Sequence, residues 1–240
     1  MADFIFADDY RLEEGATRNF YEEFLKGLVH KHNNLMGVIQ GFSSLILYDE
    51  GISNEVRESA QQMQDAAKTA SDLNREVLIS SGCGRCDSDS ISLDTVSTYW
   101  KSKAEEVCAA AGVSLQINFC EGLPSVSGDS GKLGNVFTQL IKNAAEGSAE
   151  TPNGSVAIDV FPPGEASSGG TVDLFIRNTS VEMTDKSLKQ SFVPFHTTKG
   201  AEHYGLGLAT AAVLAGQMNS RLGLRYADGT TTAWLALPTA

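Results

Sequence analysis

Apolar residues recur along the first part of the chain with the period of a helix. Phe24, Leu28, Leu35, Ile39, Phe42 and Ile46 follow one another at steps of four, seven, four, three and four. At 3.6 residues per turn that spacing keeps the side chains on one face. The pattern predicts a helix from about Leu12 to Tyr48. "DEGISN" interrupts it with a glycine, and Ser53 reads as the N-cap of a second helix. There Val56, Ala60, Met63, Ala67, Ala70, Leu73 and Val77 resume the period. Two long amphipathic helices with a short connection make an antiparallel hairpin. A lone hairpin has one seam and cannot enclose its own apolar stripe. The pattern therefore also predicts a homodimer, in which two hairpins close into a four-helix bundle.

Further on, the pattern changes. "SSGCGRCDSDS", from Ser80 to Ser90, is rich in glycine, serine and aspartate and reads as a linker. After it, "TVSTYWKSKAEEVCAAAG" and "SGKLGNVFTQLIKNAAEGSAE" have helical spacing. "VSLQINF", "SVAIDVF" and "TVDLFIRN" read as strands. A helix from about Leu206 to Met218 precedes "RLGLRYADGTTTAWLALP", whose Asp228-Gly229 pair marks a β-hairpin turn. Strands joined by hairpins and mixed with helices give an α+β fold in this part. The expected organisation is a helical hairpin over 1–82, a linker over 83–91 and an α/β sandwich over 92–240.

Composition narrows the function. In 240 residues, 42% of them hydrophobic, there is enough apolar material for a real core. A formal net charge of −12 argues against non-specific binding to nucleic acid or to an anionic membrane. No run of 18 apolar residues suggests a transmembrane helix. The start, "MADFIFADDY", is acidic and lacks the basic beginning of a secretory signal. The expected compartment is the cytoplasm. Four cysteines are present, two of them as "CGRC" (Cys83 and Cys86). A structural zinc site needs a second pair or suitably spaced histidines, so reduced thiols are expected, with a redox or metal role for the pair left open.

The stretch "LVHKHNNLMGVIQGF", Leu28 to Phe42, carries two histidines on a helix. At 100° per residue, His30 lies about 200° from Leu28, on a face shared with Lys26, Asn33, Asn34 and Gly37. His32 lies about 40° from Leu28, where it would pack or hydrogen-bond. Access to a phosphoryl donor belongs to His30.

This stretch resembles the phosphoacceptor box of two-component histidine kinases of the "HDFNNLL" type. The likeness continues in order along the chain: "GKLGNVFTQLIKNAAEGS" resembles the N box, "FVPFHTTK" the F box and "GLGLATAAVLAGQ" the second glycine box. It implies a dimerisation and phosphotransfer hairpin followed by an ATPase-like domain of the gyrase, Hsp90, histidine kinase and MutL type. His30 falls on the phosphoacceptor. Asn34 falls where the family positions a water for hydrolysis of a response-regulator phosphate. Asn143 falls on the asparagine that helps hold Mg²⁺, and Glu146, three residues on, shares its helix face. Lys199 closes the F box near the expected phosphates, and Gly205 and Gly207 open a helix whose first amides can face a phosphate. The implied partner is a response-regulator receiver domain, and the implied cofactors are ATP and Mg²⁺. The same residues also admit structural readings: Asn143 as a buried capping amide, "GLGLA" as close packing, "FVPF" as core with a turn proline.

The likeness has gaps. In place of the family's D-x-G-x-G box stands "RNTSVEM", Arg177 to Met183. Asn178 replaces the aspartate that accepts from adenine, while Ser180 and Glu182 replace both glycines. A neutral acceptor makes a weaker bond than a charged one, and side chains stand where clearance or φ > 0 was needed. The lid "TTKGAEHYGLGL" has His203 and Tyr204 in place of a glycine and a threonine. After the phosphoacceptor, Lys31 replaces the acidic general base, and a protonated lysine cannot accept that proton. ATP and Mg²⁺ binding is therefore expected to be weakened or lost. The expected function is a phosphorelay protein that exchanges a phosphoryl group between His30 and a response-regulator aspartate, with autokinase activity weak or lost. The alternatives are an active ATP-dependent histidine kinase and a non-catalytic scaffold that binds a response regulator.

Overall fold

A computed structural model of the chain describes residues 4–8, 15–167, 169–200 and 203–240. In chain order the elements are β1 (Ile5–Phe6), α1 (Ala16–Tyr48), α2 (Asn54–Ser80), β2 (Asp89–Ile91), α3 (Leu93–Ala111), β3 (Ser114–Phe119), β4 (Val126–Gly128) and α4 (Ser130–Ala149). They continue with β5 (Ser155–Phe161), β6 (Thr171–Thr179), α5 (Asp185–Gln190), α6 (Gly207–Gln217), β7 (Arg221–Ala227) and β8 (Thr230–Pro238). The fold is α+β, a helical hairpin followed by an α/β sandwich. Leu12, where the periodicity opens the first helix, lies outside the described residues.

The helical unit is α1 and α2. Ser53 caps α2 as its position suggests, its side chain accepting from the Val56 amide. Arg57 reaches back from α2 and donates to the carbonyls of Leu47 and Asp49, each at 3.2 Å. Those bonds satisfy carbonyls that the end of α1 leaves without intrahelical partners. Val29 and Ser43 of α1, and Ala60 and Ala67 of α2, are the buried side chains of the pair. Alanines at this seam let the two backbones approach closely.

The apolar stripe of α1, which the hairpin cannot enclose by itself, faces away from the seam with α2. Phe24, Leu35 and Phe42 are 54%, 60% and 65% exposed, and Leu28 and Ile39 are exposed with them. On the helical wheel Val29 stands about 100° from Leu28, so α1 turns one face to α2 and a second, more apolar face outward. The periodicity identified the stripe but not its partner.

The C-terminal unit is built on a six-stranded sheet of order β1-β7-β8-β6-β5-β3, in which β3 and β5 are parallel and every other pair antiparallel. Val172, Leu174 and Ile176 alternate on β6 as a buried face, and α4 packs against β5 and β6 between α3 and α6. Trp100 of α3 stacks on Phe137 of α4 with ring centroids 4.8 Å apart, both rings fully buried. On the opposite face Phe175 and Trp234 stack at 6.2 Å, and the indole Nε1 donates to Asp173 at 3.0 Å.

The N-terminal strand departs from the expected partition. Residues 4–8 belong with the C-terminal unit, and the helical unit ends at Gly84. Ile5 pairs with Leu224 and Phe6 with Gly223. Gly223 permits this approach, because a Cβ there would sit 3.1 Å from the Phe6 ring. Phe4 is buried beside Trp234, and the guanidiniums of Arg221 and Arg225 lie over Phe6 and Phe4 at 4.1 and 5.2 Å. A two-residue strand is too short to show a period. The expected linker is shorter too, since Asp89–Ile91 pairs with β4.

Candidate functional site

In the helical unit His30 and Asn34 are both exposed, one turn apart on α1. His30 lies about 100° from Val29 and about 200° from Leu28, clear of the seam with α2 and of the apolar stripe. Gly27, Gly37 and Gly41 share its sector, and a Cβ added at any of them would meet nothing within 4 Å. The surface around the ring is therefore low.

His32 is exposed as well, but its ring is tied across the hairpin. Nδ1 lies 3.0 Å from Asn74 Oδ1, and Asn74 Nδ2 donates to Asn33 Oδ1 at 2.7 Å. With the Asn74 amide nitrogen turned to Asn33, its oxygen faces the imidazole, which then carries its proton on Nδ1. Lys31 is exposed and stands on a different side of the helix from the ring of His30.

In the C-terminal unit the tertiary structure joins the N box, F box and second glycine box. The Lys199 ammonium lies 2.5 Å from Glu146 Oε2 and 3.3 Å from Asn143 Oδ1. His203 Nδ1 stands 3.8 Å from the same carboxylate oxygen. Two residues of the lid, Ala201 and Glu202, lie outside the described residues.

Gly205 has φ +66°, and a Cβ there would come within 2.6 Å of the His196 carbonyl oxygen. Its own carbonyl accepts from the Phe195 amide at 3.0 Å. This glycine therefore lets the second glycine box lie against the F-box backbone. Two residues on, α6 begins at Gly207 without a side-chain cap, so its first amides are not met by a capping side chain.

Gln139 is a site residue that the motif comparison passed over. A Cβ at Gly207 would lie 2.9 Å from Gln139 Oε1, which puts this amide at the mouth of α6. Its own nitrogen donates to Asn135 at 3.4 Å. The signal was in the sequence: Asn135, Gln139 and Asn143 recur every four residues, a polar line on a helix whose large apolar side chains are buried.

At the end of β6, Asn178 is 6% exposed and its Nδ2 donates to the Thr179 carbonyl at 2.8 Å. Gly147 makes room for it, since a Cβ there would approach that nitrogen to 3.2 Å. Ser148, one residue on, is fully buried and bonds the carbonyls of Ser155 and Thr179 at 2.9 and 3.1 Å. Ser180 turns its hydroxyl to Thr231 at 2.7 Å, and its amide donates to Gly229. It thus closes the end of the sheet instead of leaving the backbone bare, as a glycine would. Val181 and Glu182 are exposed.

The cysteines are all free thiols. Burial pushes the Cys108 thiol up to about 11, which makes it an inert core residue. Burial also raises Cys86. Among the described residues no group of three or more His, Cys, Asp or Glu side chains is placed to hold a metal ion. No described helix is long and apolar enough to cross a membrane.

Residues 128–240 match the family model of histidine kinase-, DNA gyrase B- and HSP90-like ATPases. No curated protein matches the chain. Among solved structures, full-length ShkA in complex with AMPPNP superposes with a TM-score of 0.69 at 19% identity, over 91% of this chain and 46% of ShkA. The chain thus spans about half the length of ShkA. The histidine kinase AdeS of Acinetobacter baumannii gives 0.56 at 15% identity, over 85% of this chain and 94% of its own. The catalytic domain of the histidine kinase ThkA, nucleotide free, gives 0.54 at 18% identity, over 64% of this chain and 96% of that domain. Residues 128–240 thus carry a histidine kinase-, DNA gyrase B- and HSP90-like ATPase domain, and the chain shares its fold with histidine kinases.

Proposed function

We propose that this chain is a dimeric, cytoplasmic two-component phosphorelay protein. It carries a phosphoryl group on His30 and exchanges it with an aspartate of a response-regulator receiver domain, with autokinase activity weak or lost. The observation that carries this reading is the exposed His30–Asn34 face of α1, clear of both packing faces and bordered by glycines. In the transfer a ring nitrogen of His30 attacks phosphorus, the bond to the aspartyl oxygen breaks, and the carboxylate leaves with that bond's electrons. Asn34, on the same face, serves a separate hydrolysis, orienting a water whose oxygen attacks a docked aspartyl phosphate and releases inorganic phosphate and the free carboxylate.

Autophosphorylation would need more. Lys31 stands where the family has an acidic residue after the phosphoacceptor, and the adenine end has a neutral Asn178 and a filled position at Ser180. Exchange with a receiver domain uses neither. Incubation with a phosphorylated receiver domain is expected to label the protein with an acid-labile phosphoryl group. Equal labelling of a His30→Ala variant would end this reading.

An active ATP-dependent histidine kinase is the second reading, favoured by the meeting of N box, F box and second glycine box in one region. Acid-labile phosphorylation from labelled ATP, absent in His30→Ala, would establish it.

A further inference from the structure

The family resemblance implies Mg²⁺ at Asn143, and the donor set of this chain does not fit it. A small dication needs near-octahedral oxygen ligands at about 2.0–2.1 Å and usually one or two carboxylates. Asn143 Oδ1 and Glu146 Oε2 are the oxygens that the N box offers a cation, and the Lys199 ammonium already lies against both. That side chain is 21% exposed, so the cation is largely sheltered where it bridges the pair. The carboxylate is neutralised by a covalently attached positive charge. A metal entering here would have to displace that charge.

From the Lys199–Asn143–Glu146 cluster we infer that the ATPase-like unit takes the phosphates of a nucleotide without a divalent metal, with Lys199 as the resident cation. An ammonium has three donors. Two are directed to Glu146 and Asn143, and the third remains for a phosphate oxygen. Lysine binds phosphate as a point charge, and Glu146 and Asn143 here act as positioning residues that hold it. One ammonium balances fewer phosphate charges than an ammonium and a dication together, so a nucleoside diphosphate suits the site better than a triphosphate.

This inference rests on reading the C-terminal unit as a nucleotide site. It is independent of phosphoryl exchange on His30, which the receiver-domain assay measures by itself. The test is calorimetric titration of the whole chain with ADP, once in EDTA and once with excess Mg²⁺. The two affinities are expected to agree within about twofold. Lys199→Gln should lose more than about tenfold in EDTA and recover part of that loss when Mg²⁺ is added, because the oxygen pair has been freed. Glu146→Gln keeps an amide oxygen to position the ammonium but removes the negative charge that competes with phosphate, so it should bind ADP in EDTA at least as tightly as the parent chain. An unchanged melting temperature in both variants shows that folding is not being read. Binding to the parent chain more than about tenfold tighter in Mg²⁺ than in EDTA would overturn the inference. So would an absence of ADP binding in EDTA, or a Lys199→Gln variant that binds as the parent does.

Discussion

The helical hairpin and the C-terminal unit meet the problem of burial in opposite ways. In the hairpin the buried side chains are Val29, Ser43, Ala60 and Ala67, while Phe24, Leu28, Leu35, Ile39 and Phe42 face outward. The C-terminal unit covers its sheet with α4, α3 and α6 on one side and closes an aromatic cluster around Trp234 on the other. Two helices share one seam, whereas a sheet with a helical layer can enclose a core. One unit is complete in itself. The other leaves its apolar stripe uncovered, and the proposed dimer would cover it with a second copy.

Three substitutions probe that contrast. The largest effect belongs to the closed core: Phe137→Ala removes the ring stacked on Trp100 and should cost about 3–5 kcal/mol. Thermal unfolding of the C-terminal unit would then fall by on the order of 10 °C. A loss below about 1 kcal/mol would mean that this core is not closed. Next comes the open stripe. Leu35→Asp puts a charge in the proposed dimer interface and should raise the dimer dissociation constant more than about hundredfold, with no change in melting of the C-terminal unit. Light scattering reads both chains, and a parent chain that is monomeric at every concentration would remove the stripe's partner from the account. The smallest effect has the opposite sign. Gly37→Ala should stabilise the hairpin by about 1 kcal/mol, the cost of a glycine within a helix, because an added Cβ meets nothing within 4 Å. Helix melting followed by circular dichroism checks it. A destabilised hairpin would show that the His30 sector is packed rather than clear.

The larger elements were legible in the sequence because each carries its own local signal. Periodicity found α1 and α2, the Ser53 cap marked the start of α2, and Asp228-Gly229 marked the turn between β7 and β8. The short elements were not. β1, β4 and α5 span two, three and six residues, too few to display a period, and β2 lies in a stretch whose composition reads as linker. For the site, matching motifs singled out Asn143, Glu146 and Lys199 but passed over Gln139, which needed the polar line of α4 to be traced by itself.

What the sequence determined by itself is local: which segments coil or extend, where they are capped, and in what order the motif-bearing stretches follow one another. What only the tertiary structure decided is which faces meet. It turned the stripe of α1 away from α2, paired Phe6 with Gly223, and set the Lys199 ammonium against oxygens 53 and 56 residues away in the chain. A period shows that a helix has an apolar face, because it depends on neighbours along the chain. The partner of that face, or of a single charge, depends on packing between segments far apart in sequence, and no local pattern encodes it.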